Sequence, residues 1–127
     1  MEMLTTISGT VMKGTLMGRK MGFPTINVAF DSTDLPFGVY AVRVSILDTT
    51  GVYKGALHYG PRKVLGLMEP SLEVHLLDFS DDLYGQKVKI DVFEKIRDTR
   101  DFDDMDALKR QIRYDVDAVR ATDIPLK

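Results

Sequence analysis

The chain has 127 residues, 44% of them hydrophobic and 28% charged, which is the size and make-up of one globular domain with a single core. Lys and Arg number 17 against 19 Asp and Glu, a net charge of -2 that lacks the basic surplus of a nucleic-acid-binding surface. No cysteine is present, which excludes disulfides and thiolate metal sites, and no apolar run reaches membrane-spanning length. With no signal-peptide pattern at the start, the expectation is a cytoplasmic, monomeric protein of one domain, residues 1–127, without nucleic-acid or membrane partners.

Taken in order, residues 5–13 read as a first strand, interrupted by Gly9. A glycine-rich stretch follows, Gly14-Thr15-Leu16-Met17-Gly18-Arg19-Lys20-Met21-Gly22-Phe23-Pro24-Thr25-Ile26-Asn27, with glycines at intervals of four. Glycine allows positive φ and close approach of the backbone to a ligand, and Pro24 biases Phe23 toward an extended conformation. On the short strand that follows, residues 25–30, Thr25 and Asn27 are two apart and point to one face. Backbone N–H groups of such a loop can cradle phosphate oxygens, and a threonine hydroxyl can ligate magnesium. The stretch is neither a Walker A loop nor a dinucleotide fingerprint, since Gly-Lys-Ser/Thr and Gly-x-Gly-x-x-Gly are both missing.

Residues 38–48 form the clearest strand, with Tyr40, Val42, Val44 and Ile46 on one face. A turn at residues 48–51 returns the chain as a strand over residues 52–59, where Gly55 marks a bulge or a close approach. Residues 63–70, with Gly66 and Pro70, read as a loop. Residues 72–79 read as a strand with Leu72, Val74 and Leu76 on one face and Glu73, His75 and Leu77 on the other. A turn at residues 81–85 leads to the last strand, residues 87–97. Met105, Leu108, Ile112, Val116 and Val119 then recur at helical spacing, so a helix spans about residues 103–121 with Asp103 as its cap. Six strands and one helix predict an all-β-dominated fold, a small six-stranded antiparallel β-barrel with a C-terminal helix outside it. Periodicity does not give the strand order.

Three residues could carry chemistry on the later strands. Glu73 is either an outward-facing charge or a carboxylate in a ligand cavity, able to take a proton from an alcohol. His75 reads as a hydrogen-bonded packing residue, and with His58 makes no metal-ligand set. Arg97 is either a solvated charge or a bidentate partner for phosphate.

The pattern Gly14-x-x-x-Gly18-Arg19-x-x-Gly22-Phe23-Pro24-Thr25-x-Asn27 resembles the signature of the riboflavin kinase family, Gly-Arg-x-Leu-Gly-Phe/Tyr-Pro-Thr-Ala-Asn. Pro36-Phe37-Gly38-Val39-Tyr40, Leu72-Glu73-Val74-His75, Asp82-Leu83-Tyr84-Gly85, and Ile96-Arg97 with Phe102 and the terminal helix follow in the family's order. The resemblance implies a six-stranded antiparallel barrel, Greek-key and split, that transfers the γ-phosphoryl group of ATP to the ribityl 5′-hydroxyl of riboflavin, giving FMN. It implies that Gly14, Gly18, Arg19, Lys20, Gly22 and Pro24 hold the nucleotide phosphates. Thr25 and Asn27 would bind Mg²⁺ and phosphate, Glu73 would be the base, and Arg97 would stand at the flavin-side loop. Met21 and Ile26 depart mildly from the signature. Gly60-Pro61-Arg62-Lys63-Val64 departs more, because family members commonly carry Arg-Pro-Thr there. Relatives that also make FAD carry an N-terminal adenylyltransferase domain, for which 127 residues leave no room, so FAD synthesis is not expected. A flavin- or nucleotide-binding barrel without catalysis, acting as sensor or carrier, is the alternative. Thr25, Asn27 and Glu73 together argue against it, since a pure binder has no use for a base. A nucleic-acid-binding barrel is disfavoured by the charge.

Overall fold

A computed structural model describes residues 2–13, 22–62 and 66–126, apart from the side chain of Leu67. The strands are β1 (Thr5–Met12), β2 (Ile26–Ala29), β3 (Gly38–Ile46), β4 (Val52–Arg62), β5 (Leu67–Leu76) and β6 (Lys87–Arg97), followed by helix α1 (Met105–Ala121). The order around the sheet is β1-β2-β5-β4-β3-β6, and β6 pairs back onto β1. Every pairing is antiparallel. The ring is therefore a closed six-stranded antiparallel barrel followed by one C-terminal helix, the fold class expected from the sequence.

Alternation along the strands fills the barrel. Tyr40, Val42, Val44 and Ile46 of β3 point inward with Leu72, Val74 and Leu76 of β5 and Val88, Ile90 and Val92 of β6. Gly55 also faces inward, and a Cβ there would lie 2.6 Å from Val74 Cγ1. It is a close-approach site rather than a bulge. The irregularities in register fall instead in the β3–β6 pairing, between Val39 and Tyr40 and between Ala41 and Val42, and in the β4–β5 pairing, between Gly60 and Arg62.

The expected loop over residues 63–70 is corrected in part, because β5 already begins at Leu67 and contains Pro70. The reason lies in its neighbours. Among the described residues β2 pairs with β5 only at Val74 and Glu73, so residues 67–72 have a described partner on the β4 side alone. Proline is tolerated where its missing N–H faces no strand.

The second core lies outside the barrel. Leu108, Ile112, Val116 and Val119 of α1 pack with Ala41, Leu77, Phe93 and Ile124. The helix cap is Asp104, not the expected Asp103. Asp104 has extended φ and ψ (-151° and 173°), and its Oδ1 accepts from the N–H of Ala107 at 2.8 Å. No helix among the described residues is long and apolar enough to cross a membrane.

Candidate active site on the outer face of the barrel

Register places the candidate residues side by side. Asn27 of β2 is opposite Glu73 of β5, Glu73 is opposite His58 of β4, His58 is opposite Val39 of β3, and Val39 is opposite Arg97 of β6. Directly paired residues share a face. The row therefore crosses five strands on the outside of the barrel, on the same outer surface that α1 covers farther along.

Glu73 points out of the barrel, yet it is only 4% exposed. It is a buried carboxylate rather than a solvated charge. Nε of Arg62 donates to Glu73 Oε2 at 2.7 Å. Burying a carboxylate is tolerated when a cation and hydrogen bonds compensate it. Arg62 was not singled out from sequence as a site residue, although it lies in the one segment that departs most from the family pattern. Lys63 and Val64 of that segment lie outside the described residues.

His58 is buried between Glu73 and Val39 in the row, and its Nδ1 has no hydrogen-bond partner among the described residues. Burial, then the positive charges of Arg62 and Arg97, push its pKa down to about 3, so the ring is neutral near pH 7. His75 is the packing residue expected of it. A carbonyl only accepts, so His75 Nδ1–H donates to Pro24 O at 2.7 Å, and Phe23 meets the ring edge-on at 5.6 Å. This contact fixes the proline that leads into Thr25.

Arg97 is not a solvated charge. Its Nε and Nη2 donate to Asp115 Oδ1 and Oδ2, both at 2.8 Å, and its Nη1 donates to Asp98 O at 3.0 Å. Gln111 Nε2 also donates to Asp115. Asp115 is buried, and sequence reasoning missed it. The signal was present: Asp115 is three residues after Ile112 and four before Val119, on the edge of the apolar stripe.

Pro24 and Thr25 stand at the rim of a cavity of about 510 Å³ at one mouth of the barrel, over an apolar floor that includes Val11, Ile26, Leu76 and Leu83. An apolar cleft with a few polar groups at its edge suits the base of a nucleotide or another flat ring. Its floor is invisible to a search for chemistry-bearing residues. Gly22 has φ of 82°, a conformation that favours glycine. Gly14, Gly18, Arg19 and Lys20 lie outside the described residues.

The metal expectation can be set against the donor set. Mg²⁺ takes oxygen ligands and is usually held by one or two protein groups together with substrate phosphates. The Thr25 hydroxyl, just before β2 at the cavity, and the Asn27 amide oxygen, on β2 opposite Glu73, are donors of that kind. Among the described residues no group of three or more His, Cys, Asp or Glu gathers into a cage for a metal.

Residues 1–122 match the family model described as Flavokinase: Riboflavin kinase. An RNA-binding riboflavin kinase of Bacillus subtilis (strain 168) is 38% identical over 117 residues, 91% of this chain and 50% of that protein. A bifunctional riboflavin kinase/FMN adenylyltransferase of Haemophilus influenzae is 40% identical over 116 residues, 91% of this chain and 37% of that protein. The chain thus spans half or less of the length of these relatives. Among solved structures, riboflavin kinase from Trypanosoma brucei superimposes with a TM-score of 0.62 at 26% identity, covering 91% of this chain and 74% of that one. A Streptococcus pneumoniae structure described as a macrolide-efflux protein gives a TM-score of 0.79 at 32% identity, covering 93% of this chain and 39% of that one. A closed six-stranded barrel, an enclosed carboxylate on its outer face beside the Pro-Thr-x-Asn strand, and a family match over nearly the whole chain lead to one conclusion: this chain belongs to the riboflavin kinase family.

Proposed function

We propose that the chain is a riboflavin kinase, transferring the γ-phosphoryl group of ATP to the ribityl 5′-hydroxyl of riboflavin to give FMN and ADP. The observation that carries this reading is Glu73, a buried carboxylate held directly opposite Asn27. Phosphoryl transfer asks a protein mainly for positioning and charge neutralisation, with one group to receive the proton of the acceptor alcohol. Glu73 is that group, and its contact with Arg62 fixes its orientation. Thr25 and Asn27 are the residues that would hold Mg²⁺. When bound, the ion would neutralise charge on the phosphate oxygens. The cavity beside Pro24 and Thr25 receives the nucleotide. The flavin lies on the other side of Glu73, toward Arg97, which Asp115 holds in place.

The alternative is a barrel that binds flavin or nucleotide without turning it over. The two are separated by mixing the protein with riboflavin, ATP and Mg²⁺ and resolving the flavins by chromatography. The kinase reading predicts FMN and ADP in equal amounts. Tight flavin binding with no FMN from ATP, CTP or GTP contradicts it and supports the sensor or carrier.

A further inference from the structure

Two guanidinium groups border the row of site residues, and they are committed differently. Arg97 uses Nε and Nη2 on Asp115 and Nη1 on the carbonyl of Asp98. Arg62 gives Nε to Glu73, and among the described residues its Nη1 and Nη2 have no hydrogen-bond partner. Its side chain is only 10% exposed and is tied to Glu73 through Nε, so the guanidinium stays beside that carboxylate. The unused edge of a guanidinium is a planar pair of donors that matches two oxygens of a phosphate. It lies one hydrogen bond away from the carboxylate that meets the acceptor hydroxyl.

Resting on the kinase reading, we propose that Arg62 receives the newly transferred phosphoryl group, and that Glu73 holds it in reserve until transfer. Before the reaction Glu73 is an anion, and its charge binds Arg62. As the acceptor oxygen forms its bond to phosphorus, its proton passes to Glu73. The bond from the γ-phosphorus to the bridging oxygen breaks, and its electron pair leaves with ADP. Glu73 is then a neutral acid, and the charge-assisted part of its hold on Arg62 is gone. The product carries a phosphate monoester of charge about -1.5 to -2 at neutral pH. The guanidinium exchanges a neutral partner for that dianion. A purely structural counter-ion for Glu73 would make no distinction between an alcohol and its phosphate ester.

The exchange can be read without turnover, because Glu73→Gln imitates the protonated carboxyl. Affinities for FMN and riboflavin are measured by quenching of flavin fluorescence, and folding is checked by thermal melting. Glu73→Gln is expected to bind FMN roughly tenfold more tightly than the parent chain, with riboflavin affinity nearly unchanged. The gain disappears in Glu73→Gln/Arg62→Met, a pair chosen because it leaves no buried charge unpartnered. It persists in part in Glu73→Gln/Arg62→Lys, which keeps the charge and loses the fork. No gain in Glu73→Gln, or a gain that survives removal of Arg62, overturns the proposal and leaves the kinase reading standing. Failure of the parent chain to bind either flavin overturns both.

Discussion

His58 is the residue whose chemistry the fold changes most. Its pKa falls from the usual 6.5 to about 3, through burial first and then the charges of Arg62 and Arg97. Between those two values the unfolded chain binds a proton that the folded chain refuses, so stability is full above about pH 6.5 and falls as pH is lowered toward 3. His58→Asn removes this contribution. Urea midpoints measured at about pH 7.5 and about pH 4.5 are expected to differ less in the variant than in the parent chain. An equal difference in both would show that His58 does not carry the effect. Thr25→Ala belongs to the same scale. It deletes one hydroxyl at the entry to β2, and the expected result is a melting curve close to the parent's with a higher Mg²⁺ requirement for turnover. Unchanged turnover at low Mg²⁺ would remove Thr25 from the metal site.

At the scale of elements, periodicity made the helix and the strand faces legible, and it failed where a neighbour decides. The apolar stripe of α1 and the inward face of β3 could be read because a single period governs each. The start of β5 could not, since Pro70 is a breaker unless one side of its strand is known to be unpaired. The cap was misplaced by one residue because Asp103 and Asp104 are chemically alike, and only the extended backbone at Asp104 distinguishes them. Asp104→Ala is therefore expected to cost about 1 kcal/mol, and Asp103→Ala to stay within about 0.5 kcal/mol. Equal losses in chemical denaturation would contradict the assignment. Asp115 is the stronger joint. Its removal leaves Arg97 partly buried without its carboxylate, at an expected cost of about 3–5 kcal/mol. A loss near zero would mean that the pair does not hold β6 to α1.

At the scale of the whole molecule, the site exists only because of strand order. Residues 27, 58, 73 and 97 are far apart in sequence, and the β2–β5 and β3–β6 pairings make them neighbours. No local pattern encodes those long-range pairings, which is why reading the chain residue by residue gave Glu73 and Arg97 as isolated candidates, weighed His58 only as a metal ligand, and left Arg62 and Asp115 out. The family resemblance supplied Thr25, Asn27 and Glu73 as a set, and the register puts two of them, Asn27 and Glu73, directly opposite each other. A further ion pair stands apart from this row. Asp91 accepts from Arg43 and Thr6, while Arg43 Nη1 reaches the carbonyl of Pro125, so the C-terminal tail is fastened to the outside of β3 and β6. The central claim is that one carboxylate on the outer face makes this barrel a phosphotransferase, and steady-state kinetics of Glu73→Gln tests it most directly. The substitution keeps the size and removes the basicity, so kcat for FMN formation is expected to fall by roughly 10²–10⁴-fold, with riboflavin affinity changed far less. A variant that forms FMN as fast as the parent chain would contradict the account.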